Sequence, residues 1–326
     1  MNQAINLLQG NTAVMCPLCE KETTKILAHE LRRGNGMVRF CCACNHGYLV
    51  QEQTVNAKDY YGDMYRQEYS HNAEASPTYA KEIYLVYKEY QKDRIDHIKP
   101  HLTPDSRLLE VGASAGQFLV HIKEMVSEVN AIELDKACSN FVQKEFGIEV
   151  DTEFLENSRF ATQTYDVVCA FQVIEHVEQP LEFLMTLRKA TKKGGTIFIE
   201  APNLSDPLLA VWGVPSYQKF FYHSAHLHYF TEASLNKIAR DAGFRPDQIE
   251  ISFTQDYNLL NHLHWIMNDG PQADCRVGLS KIKLSGSNQE VATWLTDEMQ
   301  VLNQKYIAKL IASKCTSNML MKLRND

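Results

Sequence analysis

From residue 107 onward, short apolar runs alternate with amphipathic stretches. The runs "RLLEV", "EVNAIEL", "YDVVCAF" and "TIFIEA" are five to seven residues long and mostly apolar, the pattern of strands buried on both faces of a parallel sheet. Between them, "AGQFLVHIKEM", "KACSNFVQKEF" and "QPLEFLMTLRKATKK" place apolar residues at helical spacing, and the last is predicted to stop at Gly194 and Gly195. Such alternation predicts an α/β chain with a doubly wound, Rossmann-like sheet. Further on, "TEASLNKIARDAGF" reads as a capped helix, "DQIEISF" as a strand, residues 287 to 313 as a helical C-terminal extension and "NMLMKLR" as a returning last strand.

Upstream the pattern changes. "PTYAKEIYLVYKEYQKDRIDHI" predicts a helix starting at Pro77, with Tyr79, Ile83, Val86, Tyr87 and Tyr90 as a packing stripe. Residues 57–76 are Tyr-rich without a clear period and read as a linker or lid. Short β-like pieces, "MVRFCC" and "GYLV", lie among clustered cysteines before that. The expected division is therefore a module over 1–56, the linker over 57–76 and the α/β domain with its C-terminal helices over 77–326.

Composition narrows the class. A chain of 326 residues that is 44% hydrophobic and 22% charged can bury a full α/β core beside a small module. No apolar run reaches the ~20 residues of a membrane span, and "MNQAINLLQG" lacks the basic-then-apolar order of a signal peptide, so a cytoplasmic location is the expectation. The net charge of -7 argues against a general nucleic-acid binder. Five of the nine cysteines fall between Cys16 and Cys44. Cys16-Pro-Leu-Cys19 and Cys41-Cys42-Ala-Cys44 form two C-x2-C pairs 21 residues apart, near the spacing of four-thiolate zinc ribbons. Cys16, Cys19, Cys41 and Cys44 are thus the expected ligands of one structural zinc, with Cys42 and His46 as substitutes for a single ligand. Residues 1–58 hold six Lys or Arg against four Glu, too weak a bias to mark an RNA-binding ribbon.

The stretch "RLLEVGASAGQFL" carries the second candidate chemistry. In doubly wound sheets ligands bind beyond the carboxyl ends of the strands, and a turn of small residues lets a ligand approach backbone. Gly112 and Gly116 supply that turn, but their spacing matches neither the dinucleotide fingerprint nor the phosphate loop. Glu133, at the end of the next strand in "AIELD", is placed to accept hydrogen bonds from vicinal ribose hydroxyls. Glu110 adds a carboxylate beside the turn. A ribose-bearing cofactor without pyrophosphate and with a positive charge describes S-adenosylmethionine.

"LLEVGASAG", "AIELD", "YDVVCAFQVIEHVEQP", "GGTIFIEAPN" and "HLHYFTEASLNKIARDAGF" resemble, in order and spacing, the class I S-adenosylmethionine-dependent methyltransferases over roughly residues 77 to 255. The resemblance implies that Glu110, Gly112, Ser114 and Gly116 line the methionine end, that Glu133 holds the ribose, that Thr152 and Glu153 lie near adenine, and that Gln172 closes the methionine side. A cysteine ribbon ahead of this core is also similar to the sugar C-methyltransferases of deoxysugar pathways. Tyr65, Tyr69, Glu175, His176 and "YHSAHLHYF" carry that likeness, while Ala225 and His223 stand where that family tends to have Glu and Tyr, and its extra C-terminal domain is not matched.

Methyl transfer needs an aligned nucleophile and, for a hydroxyl or carbon acid, a base. His226, His176 and His223 are the catalytic candidates, with His226 leading and His228 two residues on. The expected partner is a small polar acceptor, sugar-like or nucleotide-linked, such as a nucleotide sugar. Two other readings use the same residues. Glu175, His176 and His226 resemble part of the carboxylate-histidine set of small-RNA 2'-O-methyltransferases and ubiquinone-pathway O-methyltransferases, which would make methylation metal-assisted. A non-catalytic S-adenosylmethionine-binding scaffold is the reading of another class.

Overall fold

The computed structural model describes residues 13–32, 35–51 and 80–326. The linker or lid expected over 57–76, with Tyr65 and Tyr69, lies outside them, as do Pro77 and Tyr79.

The N-terminal residues carry β1 (Val14–Met15), β2 (Glu22–Thr23), β3 (Ile26–Ala28), β4 (Met37–Cys41) and β5 (His46–Val50). The helices α1 (Ala80–Tyr87) and α2 (Lys92–Ile98) follow. The body then runs β6 (Arg107–Val111), α3 (Leu119–Ile122), β7 (Glu128–Ile132), α4 (Lys136–Phe146), β8 (Glu149–Asp151), β9 (Tyr165–Phe171), α5 (Pro180–Ala190) and β10 (Thr191–Pro202). After it come α6 (Pro207–Ala210), α7 (Pro215–Phe221), β11 (His228–Tyr229), α8 (Glu232–Asp241) and β12 (Ile249–Thr254), then α9 (Leu259–Asn268), α10 (Cys275–Leu279), α11 (Gln289–Ala312) and β13 (Asn318–Asn325).

Seven strands form one sheet in the order β12-β13-β10-β9-β6-β7-β8. Strands β6 to β10 are parallel to one another in it, and β13 runs antiparallel between β10 and β12. Side chains alternate faces along each strand, so Leu108 and Val167 join a core with Leu119, Ile122 and Val142, while Leu109 and Val168 join one with Leu184, Leu235 and Ile238. Both faces are covered, which is why the strands read as continuous apolar runs. This is the expected Rossmann-like α/β architecture. The sheet winds outward from β6 to β8 on one side and from β9 to β10 on the other, leaving a switch point between β6 and β9.

Several elements differ in extent from the sequence pattern. The helix expected from Pro77 breaks into α1 and α2 at Gln91, whose side-chain amide donates to the Tyr87 carbonyl at 2.9 Å. The helix expected after Gly116 is the single turn α3 with a 3-10 turn behind it. Helix α5 ends at Ala190, before the glycines, where the Thr191 hydroxyl donates to the Leu187 carbonyl at 2.8 Å and β10 begins. The predicted last strand is β13, and the capped helix is α8, with Thr231 accepting from the Ser234 amide. Among the described residues no helix is long and apolar enough to cross a membrane.

Candidate active site

A cavity of about 1440 Å³ opens at the carboxyl ends of β6, β7 and β9, on the switch point. The turn after β6 supplies one wall. Gly112 has φ 79°, and a Cβ there would stand 2.4 Å from Val173 Cγ2, so the position requires glycine both for conformation and for close packing of the loop after β9. Ser114 is itself left-handed, at φ 51°. Its amide donates to Glu133 Oε2 at 2.5 Å, while the Asp135 amide donates to Glu133 Oε1 at 2.8 Å. Glu133 therefore ties the small-residue turn to the end of β7 as well as lining the cavity.

Of the residues expected around a cofactor, Glu110, Gly112, Ser114, Glu133 and Gln172 line this cavity, and Gly116 sits one turn deeper against Val142. Thr152 and Glu153 do not line it. The Asp151 side chain accepts from the Glu153 amide at 3.2 Å, which turns the chain so that Phe154, Leu155 and Glu156 face the cavity, while Thr152 lines a separate shallow hollow.

Carboxylates dominate the floor. Glu110, Glu175, Glu200 and Asp256 are gathered around Arg94, which α2 carries inward beyond the Gln91 break. The Arg94 guanidinium pairs with both oxygens of Glu200 and stacks over Phe171. Gln172, left-handed at φ 56°, donates from its side chain to Glu200 at 2.9 Å and to Asn318 at 3.2 Å, and Asn318 donates to Asp256 at 2.6 Å. Burial pushes the Glu110 carboxyl well above its usual range and that of Asp256 up to about 6, with Glu200 adding to both. Sequence reasoning missed Arg94, Glu200 and Asp256. It also read Tyr87 and Tyr90 as packing residues, although both line the cavity.

The histidine candidates meet at the other wall. Glu175, on the turn after β9, is 1% exposed, and apart from its own backbone amide neither carboxylate oxygen has a hydrogen-bond partner. Its pKa is pushed up to about 8 by burial, with a further contribution from Glu200. His176 Nδ1 is 2.8 Å from the Ala225 carbonyl, which fixes that nitrogen as the N–H and leaves the Nε2 lone pair 3.8 Å from Glu175. Burial lowers the His176 pKa to about 4. His226 lines the same wall with Nδ1 unpartnered, and burial together with His223 and His176 holds it well below the usual histidine range. Donor atoms of Glu175, His176 and His226 all lie within 4.8 Å of one another. His223 packs on His226, ring centroids 3.7 Å apart, without reaching the cavity. His228 points away from it, into a bond with His46.

A second cluster lies among the N-terminal strands. Cys16–Cys19 caps the β1–β2 hairpin and Cys41–Cys44 the β4–β5 hairpin, and each pair is followed by a left-handed residue, Glu20 at φ 57° and Asn45 at φ 54°. The sulfurs of Cys16 and Cys44 are 3.6 Å apart and those of Cys19 and Cys41 3.5 Å, with all four within 4.8 Å of one another. Cys42 is exposed and outside the cluster, and His46 is engaged elsewhere.

A family model described as a methyltransferase domain matches residues 84–249, just over half of the chain. Among curated proteins, a ubiquinone biosynthesis O-methyltransferase of Burkholderia pseudomallei (strain 1710b) is 24% identical over 168 residues, covering 48% of this chain and 72% of its own length. Among solved structures, a SAM dependent methyltransferase from Archaeoglobus fulgidus aligns with TM-score 0.47 and 19% identity over 73% of this chain and 94% of its own. The phosphoethanolamine N-methyltransferase 2 of Haemonchus contortus, in complex with S-adenosyl-L-methionine, aligns with TM-score 0.49 and 14% identity over 91% of this chain and 70% of its own. The chain belongs to the methyltransferase-domain family and is an S-adenosylmethionine-dependent methyltransferase.

Proposed function

We propose that the chain transfers the methyl group to a small, hydroxyl-bearing acceptor, with His226 as general base. The observation that carries this is the meeting of Glu175, His176 and His226 in one wall of the cavity whose other wall is the Gly112–Glu133 turn. Glu110, Gly112, Ser114, Glu133 and Gln172 would bind the cofactor, with Gly116 shaping the turn behind them, and the cofactor supplies an already activated methyl group. The chain's own contribution is alignment and proton removal. His226 is neutral at neutral pH because burial disfavours its charged form, so the base form is the resident one. As the new bond forms, the acceptor hydroxyl would give its proton to His226, with His176 and Glu175 orienting the pair. Eleven carboxylate residues line the cavity against three Lys or Arg, which favours a neutral sugar-like or cationic group inside it over a diphosphate. The relatives named as O-methyltransferases make oxygen the first acceptor atom to test.

For the module we propose a structural zinc on Cys16, Cys19, Cys41 and Cys44. Tetrahedral coordination at the usual Zn–S length sets sulfurs roughly 3.8 Å apart, close to the spacing found here. Four thiolates close the coordination shell, so this ion would contribute folding energy rather than chemistry. The domain division at 1–56, 57–76 and 77–326 belongs to the same proposal.

A second reading has its own observation. His176 has Nδ1 tied to a backbone carbonyl, the arrangement of a metal-ligating histidine, and donor atoms of Glu175, His176 and His226 lie within 4.8 Å of one another. A divalent ion on Glu175, His176 and His226 would then assist O-methylation. The discriminating experiment is release of S-adenosylhomocysteine with a panel of hydroxylated sugars and phenols. His226→Ala should lose on the order of 100-fold in turnover with cofactor affinity retained, and chelator or Mg²⁺ should change nothing. Activity that vanishes with chelator and returns with a divalent ion replaces the base by the metal, and an unimpaired His226→Ala removes both.

A further inference from the structure

The cysteine module does not complete its own sheet. Its strand β5 pairs antiparallel with β11, which belongs to the segment carrying His226, with His228 opposite Tyr48 and Tyr229 opposite Gly47. The Leu49 amide donates to the Leu227 carbonyl at 2.9 Å, and the Leu227 amide donates in turn to the Glu175 carbonyl at 2.8 Å. One backbone path thus runs from the module to Glu175.

Side chains lay down a second path beside it. His46, the first residue of β5 and two residues beyond Cys44, places Nε2 2.9 Å from Nδ1 of His228, and both rings are buried. The backbone of Val177 and Glu178, immediately after His176, lies against the His228 ring, so that ring sits between the module and the turn bearing Glu175 and His176. At Gly47 a Cβ would stand 2.9 Å from Tyr229 Cβ, although the backbone there is not left-handed. Glycine at this position serves close approach of β5 to β11. Thr231, the cap of α8, donates to the Asn45 carbonyl at 2.8 Å and closes the far end of the contact.

We propose that the module is a positioning element of the methyl-transfer site: β5, with His46 as its positioning residue, holds segment 225–229 in register and so sets His226 against Glu175 and His176. Strand β11 has two residues, and so short a strand has little stability of its own. A one-residue slip would exchange the faces of its side chains and carry His226 off the cavity wall. The inference rests on reading the Glu175–His176–His226 cluster as the acceptor end, but its test does not depend on catalysis.

The test is hydrogen exchange by mass spectrometry on the full chain bound to S-adenosylhomocysteine, together with histidine side-chain nitrogen NMR. Gly47→Ala and His46→Ala should each speed exchange across 223–230 by about tenfold or more, with β6 and β9 protected as in the parent and cofactor affinity within about twofold. The His226 and His176 ring signals should shift in both variants. His46→Gln, whose terminal N–H can still donate to His228 Nδ1, should restore the parent signals and protection. Unchanged protection of 223–230 in both alanine variants overturns the proposal. So does loss of protection spread equally over β6, β9 and 223–230, because the module would then be a general stabiliser with no separate hold on the site. Should His226→Ala later prove catalytically silent, the base assignment fails while these exchange results stand.

Discussion

Glu175→Gln should make the cofactor-free protein more stable, and increasingly so as pH rises. Burial raises the folded-state pKa of Glu175 from 4.5 to about 8, so between those values the folded chain holds a proton that the unfolded chain releases. Stability is therefore fully present below pH 4.5 and is lost as pH rises through the window. At about 1.4 kcal/mol per pK unit, the penalty is roughly 1 kcal/mol at pH 5 and roughly 3 kcal/mol at pH 7. Glutamine has the same shape and no proton to lose, so the variant escapes this slope. Differential scanning calorimetry without cofactor or added divalent cation measures it. With a midpoint shift of roughly 2 °C per kcal/mol in a chain of this size, the variant should melt about 2 °C higher at pH 5 and about 6 °C higher at pH 7. An equal difference at both pH values would refute the reasoning, because Glu175 would then be as ionised in the fold as outside it. The fold thus keeps a buried carboxyl group, at a cost in stability as pH rises, on the wall of the cavity where a cationic ligand would meet it.

Other outcomes follow from the same geometry. Glu133→Ala should weaken S-adenosylhomocysteine binding by about 1 to 3 kcal/mol in calorimetry, since it removes a charged acceptor and also frees the Ser114 and Asp135 amides; unchanged affinity would sink the ribose assignment. Purified protein should carry about one zinc per chain, released by mercurial titration. Cys16→Ser should lower stability while leaving cofactor affinity in the folded fraction, and zinc near zero in protein prepared without chelator would contradict the four-thiolate site.

Local pattern made much of this molecule legible. Interior parallel strands are apolar on both faces, so β6, β7, β9 and β10 stood out by composition, and the paired cysteines found one another because their hairpins repeat one motif. What the pattern could not carry was contact between distant segments. Arg94 meets Glu200 across 106 positions and His46 meets His228 across 182, and neither pair leaves a periodic trace. Strand β13 reads as a strand, yet its insertion between β10 and β12 is set by tertiary packing. In the sequence the glycine turn signals only room for a ligand, whereas Gly112 is also required by Val173 and its own positive φ. On the loop after β8 the Asx turn at Asp151 shifts the cavity-facing residues from Thr152 and Glu153 to Phe154 and Leu155, a displacement of two that spacing alone does not reveal.

The most direct measurement is a crystal structure with S-adenosylhomocysteine bound. The expected complex has the ribose hydroxyls on Glu133, the methionine portion along Gly112, Ser114 and Gln172, and the sulfur facing the space bounded by Glu175, His176 and His226. A ligand bound in that cavity with its sulfur turned away from these three residues, or one bound outside it, would contradict the account.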